Sequence, residues 1–239
     1  MKRFLFAVIC VVLSASCNDE IDLAGRGGTY EFLESNFSGI SVQDGFELYL
    51  ISGNSTSTVK DTVKIESDEN VINHIKYEIK NGILYFYKEQ GIEFPSEVSV
   101  KISVTKDSID ALIVSSSKVQ IVDTLRTNGI RLVCLDRSVL KGQLECKKMQ
   151  SAVNNSTVEI TGVSDTVQMN IDNGSSVKLF GLESNNAGVN VSGGSFAEIT
   201  VNNEFEVTAK EKSVLHYRGT AVIRRLVSDD DSKIIKKLD

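Results

Sequence analysis

The stretch NNSTVEITGVSDTVQMNIDNGSSVKLFG, residues 154–181, carries the pattern that decides the fold. Ser156, Val158, Ile160 and Gly162 recur as Ser175, Val177, Leu179 and Gly181, nineteen residues later. Each copy is a small polar residue, two aliphatic residues at alternate positions and a closing glycine. Working outward, the closing position is held by Asp123, Gly142, Gly162, Gly181, Val201 and Gly219. Six residues before each of these the column reads Ser117, Asp136, Ser156, Ser175, Ser195 and Ser213. The next columns read Val119, Ser138, Val158, Val177, Ala197, Leu215 and then Ile121, Leu140, Ile160, Leu179, Ile199, Tyr217. Upstream, Ile113, Leu132, Ala152, Ile171, Val191, Ala209 and Val227 form a further apolar column.

A repeat of this length built from short β runs signals a stacked solenoid. Each coil reads as two alternating strands joined by a tight corner of Ser, Asn, Gly and Asp, residues that suit left-handed geometry. Runs such as VQMNID (Val167 to Asp172) and FEVTA (Phe205 to Ala209) have a period of two and no 3.6-residue rhythm, which disfavours helix. The fold class predicted is all-β, a right-handed parallel β-helix of about nineteen-residue coils over 107–239; an antiparallel sandwich is the competing reading.

Residues 36–106 are β-rich without the coil and read as an N-terminal β cap. Asn81-Gly82, between YEIK and ILYFY, predicts a type I′ hairpin. In SDENVINHI, Ser67 or Asp68 would cap one helical turn with Val71, Ile72 and Ile75 inward. At the far end Asp229 to Asp231, Lys233, Lys236 and Lys237 crowd the last coil with charge, which opposes end-to-end stacking.

The beginning of the chain predicts targeting. Lys2-Arg3, the apolar run Phe4 to Leu13, then Ser14-Ala15-Ser16 before Cys17 reads as a signal peptide over 1–16. Its placement resembles a bacterial lipoprotein site with Cys17 as the lipidated residue, although Ser14 stands where Leu is usual. A plain secreted protein with a stray cysteine is the alternative. Residues 17–35 then read as a lipidated tether, and Asn18-Asp19-Glu20 resembles an outer-membrane export signal, which gives an outer-membrane, surface-facing location. Membrane contact is expected through that lipid.

Composition narrows the partners. The net charge is −6, or −8 once Lys2 and Arg3 are removed with the leader, and there is no basic patch; nucleic acid is not expected. The one proline, Pro95, and the lack of Trp suit a regular strand array. Cys134 and Cys146, twelve apart on a nineteen-residue coil, fall on different sides and predict two free thiols, with Cys134 inward.

Catalytic signals are weak. His74 and His216 are the only histidines, and neither has partners at metal-ligand spacing, so no metal or cofactor is expected. No G-x-S-x-G elbow is present. Some β-helix proteins cut acidic polysaccharides with converging acids, but Asp136, Asp165 and Asp172 fall at different phases of the coil, and Arg126, Arg131 and Arg137 form no column. Serine and glycine at the corners read as turn residues. Asp61-Thr62-Val63, Asp107-Ser108-Ile109, Asp123-Thr124-Leu125 and Asp165-Thr166-Val167 resemble acceptor motifs for bacterial O-glycosylation.

FSGISVQDGFELYLISG (Phe37 to Gly53), VKIESDENVINHIKYEIKNGILYFY (Val63 to Tyr87) and VSVKISV (Val98 to Val104), in that order, resemble the auto-transporter adhesin head GIN domain family. The resemblance extends through the repeats over roughly 30–220. It implies a β-helical extracytoplasmic protein without known catalytic residues. The chain departs from that family's Ser-Gly-rich corners at Ser115-Ser116-Ser117, Asn154-Asn155-Ser156 and Lys210-Glu211-Lys212. The function expected is a non-enzymatic envelope lipoprotein that presents a rigid scaffold to a glycan or protein ligand. The alternatives are a structural or sensory component facing the periplasm and, on fold analogy alone, a polysaccharide-active enzyme.

Overall fold

The computed structural model describes residues 19–52 and 61–238. The leader over 1–16 and Cys17 lie outside the described residues. The chain opens with β1 (Asp19–Glu20) and β2 (Gly27–Leu33), then β3 (Gly39–Val42) and β4 (Glu47–Ile51). β5 (Thr62–Asp68) and the single turn α1 (Glu69–Ile72) precede a hairpin of β6 (Ile75–Lys80) and β7 (Ile83–Lys88). β8 (Ile92–Glu93), β9 (Lys101–Thr105) and β10 (Ala111–Ser115) lead into five long bent strands. These are β11 (Lys118–Leu135), β12 (Val139–Asn154), β13 (Thr157–Asp172), β14 (Ser176–Val191) and β15 (Phe196–Ala209). The last coils are β16 (Val214–Arg218), β17 (Val222–Ser228) and β18 (Lys233–Lys236).

Parallel pairing joins β10 through β18 coil upon coil, giving a β-solenoid of about seven turns. Each coil has three faces, one more than the two strands read from the sequence. Face A runs through β10 and the ends of β11 to β15, and face B through the starts of β11 to β15, then β16 and β18. Face C is the short run between them, such as Thr124 to Thr127 paired with Gln143 to Cys146. Its inward residues include Leu125, Leu144 and Leu182, all fully buried. The run escapes a period-two reading because it is only about four residues long and Gly162 interrupts it.

The registers correct the predicted columns at two places, the coil at 136–142 and the upstream apolar column. Ser138, not Asp136, stacks on Ser117 and Ser156, and Leu140 lies between Val119 and Val158. Alignment on Gly142 misplaces this coil because Gly142 does not close it: it stands opposite Ile160 in the inward row. Its φ is +153°, and a Cβ there would come within 2.4 Å of the Ile121 Cβ. On face A one inward column is Val114, Cys134, Val153, Ile171, Val191 and Ala209, so Ile113, Leu132, Ala152 and Val227 belong to other rows, Val227 opposite Thr208. Leu132 is buried one row upstream, and Ala152 is exposed.

The corner serines are more than turn residues. The backbone N–H of Ser138 donates to Ser156 Oγ at 3.1 Å, that of Ser156 to Ser175 Oγ at 3.3 Å, and that of Ser175 to Ser195 Oγ at 3.1 Å. Ser195 continues to Ser213, and Ser213 to Ser232. Buried backbone donors at a corner have no ladder partner, so the hydroxyl of the next coil supplies the acceptor. Each rung is nearly inaccessible to water. At its N-terminal end the column meets Phe46, whose carbonyl accepts from Lys118.

The N-terminal third is arranged differently from a simple cap. β3 and β4 form a coil of the solenoid: β3 lies beneath β10, and β4 beneath the start of β11. On the other side β3 pairs with β7 and β4 with β9. The coil at 39–51 is thus clamped between one at 83–105 and one at 111–121, out of chain order. The chain leaves it at Ser52, builds the end structure, and then steps back across it through 106–110. Lys106 secures this crossing: Nζ donates to Asp61 Oδ1 at 2.7 Å and Ser35 O at 3.0 Å, and lies 4.5 Å from the Phe37 ring centre.

Beyond that coil, antiparallel strands seal the end. β5 pairs with β9 and with β2, and β6 pairs with β7. Residues 27–33, expected within the tether, are therefore strand β2, and Asp19–Glu20 pair with β8. The hairpin forms as predicted, with positive φ at Asn81 and Gly82. Of the two candidates, Asp68 caps α1, with Val71 and Ile75 buried. Its carboxylate also accepts from Ala24 and Gly25, and these backbone donors, Ala24 foremost, hold its pKa below the ordinary value.

Candidate functional site

Outward side chains on face A build an open groove of about 400 Å³. Because strands stack in parallel and in register, residues from successive coils become neighbours about 4.8 Å apart. One outward column reads Arg131, Gln150, Gln168, Gly188 and Glu206; the adjacent one reads Val133, Ala152, Asn170, Asn190 and Thr208. The groove takes in the Arg131 to Gln168 part of the first column and Val133 to Asn190 of the second. Ala152 leaves depth between Val133 and Asn170. Gly188 leaves the space that the Gln168 amide fills, since a Cβ on Gly188 would meet Gln168 Oε1 at 2.4 Å. Asn190 Nδ2 donates to Asn170 Oδ1 at 3.0 Å, which fixes both amides across neighbouring coils.

The groove contains no acidic residue. Among the described residues no carboxylate pairs with the Arg131 guanidinium. Two other arginines of the coils are matched by a glutamate. Arg126 on face C is bidentate to Glu145 at 2.8 and 3.3 Å, and Arg224 meets Glu204 at 2.6 Å. Arg137 sits at an exposed corner with a φ of +64°. The three arginines weighed from the sequence are thus dispersed, and only Arg131 faces the groove.

The acids do not converge either. Asp136 accepts from Ser115 Oγ on the corner between faces A and B. Asp172, two coils away on that corner, accepts from the Asn173 N–H and Ser192 Oγ. Asp165 accepts from Asn185 Nδ2 on the corner between faces C and A. Each is engaged at a corner by a donor from the neighbouring coil.

Sheet pairing gives both histidines a carboxylate neighbour that the sequence spacing did not show. His74 Nδ1 lies 2.8 Å from Glu89 Oε2, which Lys76 also meets at 3.1 Å. The His74 hydrogen bond, followed by Lys76, depresses the Glu89 pKa. His216 lies 4.0 Å from Glu198, packs edge-on against Phe196, and is lowered in pKa chiefly by desolvation. Among the described residues no three His, Cys, Asp or Glu side chains converge as a metal set.

Cys134 is buried on face A and Cys146 half-buried on face C, both as free thiols. Burial raises the Cys134 pKa to about 12, so it stays a protonated hydrophobe. Of the four Asp-hydroxyl-aliphatic motifs, only Ser108 is exposed; Thr124 donates to Gln143, and Thr62 Oγ1 is buried. Among the described residues no helix is long and apolar enough to cross a membrane.

The architecture recurs in solved structures. A "putative adhesin" from Bacteroides fragilis superposes with a TM-score of 0.82 at 14% identity, over 91% of this chain and 100% of that one. A "putative adhesin" from Parabacteroides merdae gives 0.68 at 14% identity, covering 92% and 100%. A "putative lipid binding protein" from Parabacteroides distasonis gives 0.70 at 15% identity, again covering 92% and 100%. At these identities the likeness is one of fold. No curated protein matches the sequence. A family model described as "Putative auto-transporter adhesin, head GIN domain" matches residues 36–221, most of the solenoid and its N-terminal end structure, and the chain belongs to that family.

Proposed function

We propose that the protein is a non-catalytic cell-envelope scaffold of the adhesin type, held to the outer membrane through a lipid on Cys17 and facing outward. The observation that carries this reading is the face A groove: a binding-sized surface on a parallel sheet, lined by amides and by an arginine that has no carboxylate partner among the described residues. Sites of similar volume hold small ligands through a few convergent polar groups. The same groove lacks the paired acids that glycosidic cleavage requires, and each acid weighed from the sequence is bonded at a corner to the neighbouring coil. The family membership supports a surface role.

The test combines location with attachment. Protease added to intact cells should degrade the protein, and deletion of the gene should reduce attachment to host matrix or to glycans. Degradation only after lysis would replace this reading with an envelope-internal role facing the periplasm. Unchanged attachment after deletion would remove the adhesin role even for a surface-exposed protein. Labelling with a lipid precursor, lost on Cys17→Ala, tests the anchor.

A further inference from the structure

We propose that the face A groove binds a carboxylate-bearing oligosaccharide, its acid group on Arg131 and its neutral sugar units along Gln150, Gln168 and Asn170. The inference rests on the scaffold reading and adds the ligand's chemical class. Arg131 is the starting point. Arg126 and Arg224 are each matched by a glutamate on the adjacent coil, whereas the neighbours of Arg131 in its column are Ala111 and Gln150. A guanidinium left unpaired on an acidic protein presents a planar donor fork that fits a carboxylate bidentately. No acid lines the groove to repel such a ligand.

The amides suit the neutral sugar units. Each offers a donor and an acceptor side by side, the complement of adjacent sugar hydroxyls. They repeat at the coil spacing, about 4.8 Å, comparable to the advance of one pyranose unit in an extended saccharide. Asn170 is already oriented by Asn190, and Gln168 lies across Gly188, so both are pre-positioned. Val133 and Ala152 add a small apolar strip suited to the C–H face of a ring. A peptide finds less here. The face A strands are paired on both sides, leaving no free edge for strand addition, and the floor offers no apolar pocket for an anchoring side chain. The column also has direction. Glu206 stands four coils beyond Arg131, roughly 19 Å at this spacing, and disfavours a second acid group at that end.

The experiment measures binding of the full chain to 3′-sialyllactose and to a cellotriose capped by one glucuronic acid, each with a single carboxylate, against the carboxyl-reduced form of each. At least one acidic probe should bind more tightly than its neutral counterpart. R131Q should weaken that binding about 10- to 100-fold, the scale of one charge-assisted contact. Q168A should weaken the acidic and neutral probes alike, and R126Q, on face C, should match wild type. Arg131 is exposed, so R131Q should melt with wild type, which separates lost binding from lost fold. The proposal is overturned if neither acidic saccharide binds, if acidic and reduced probes bind equally, if R131Q binds like wild type, or if an oligo-aspartate peptide binds as tightly. These results leave the scaffold reading standing, because that reading falls on the cell-attachment and protease experiments.

Discussion

The middle of the rod and its N-terminal third solve the same problem in two ways. From β12 to β15 each coil rests on the coils before and after it in the chain, so contacts are local on the scale of one repeat. The coil at 39–51 instead rests on partners that the chain reaches only after some thirty to seventy further residues. A nearest-neighbour stack can open from one end while the rest persists. An interleaved coil ties distant segments together, so its loss should disrupt everything laid on either side. The difference also separates two forms of capping: antiparallel strands at one end, and short charged strands at the other.

The largest effects should test that contrast directly. Val177→Asp and Ile40→Asp each place a carboxylate in a fully buried inward row, at a cost of several kcal/mol. In hydrogen exchange, Val177→Asp should expose β13 to β18 while β3, β7 and β9 keep protection. Ile40→Asp should expose both halves together. Equal loss of protection everywhere in Val177→Asp would show that the molecule opens as one unit and would end the distinction.

Glycines give a smaller difference. Gly162 has a φ of +117°, and a Cβ there would lie 2.1 Å from the Leu144 carbonyl oxygen. Gly162→Ala should cost about 1–3 kcal/mol in backbone strain, plus the collision. Gly174, at a φ of +70° with open space around it, should cost about 1–2 kcal/mol as Ala. Denaturant melts would reveal an equal loss at both sites if the close approach at Gly162 were not real.

Two serines should move stability in opposite directions. Ser175→Ala removes the acceptor of the Ser156 N–H and should cost about 1–3 kcal/mol. Ser151 is buried between Leu132 and Met169, and its hydroxyl has no partner among the described residues. Ser151→Ala should be neutral or stabilising by up to about 1 kcal/mol. Equal melting temperatures for the two variants would contradict the ladder.

Acid gives the smallest and most localised effect. Asp68 near one end and Asp229 near the other both have depressed pKa values, Asp68 from backbone N–H donors led by Ala24 and Asp229 from the Ser232 hydroxyl first. A carboxylate whose folded pKa is depressed stabilises above its ordinary value and loses that contribution as pH falls through the folded value. Below the ordinary Asp value of 3.8, exchange should therefore rise first around α1 and β18, while the middle, held by neutral serine rungs, changes little. Uniform acceleration along the chain would show that the ends are not held by these acids.

The legible part of the fold was the part with local contacts. Ser156, Val158 and Val177 stand in the columns where alternation and spacing put them, and the free thiols fall on separate faces as the twelve-residue offset implied. Gly142 misled because a glycine in an inward row looks, in sequence, like a glycine closing a coil. Face C was hidden by its brevity. The interleaved coil was hidden for a deeper reason: no pattern within 37–53 records which distant segments lie above and below it. The candidate groove left a faint trace, since Gln150 and Gln168, and Asn170 and Asn190, stand one coil apart. Outward positions vary freely in residue type, so only the register turns that coincidence into a surface.

The clamped coil also bears on how the rod carries tension. Once past the β2–β5 pair, a pull entering from the N-terminal side meets a coil with hydrogen-bonded neighbours above and below. Such a coil cannot peel away as a terminal turn would; two rows of bonds must give way together. The open C-terminal coil has no second row, so the same load applied there would unwind the rod turn by turn.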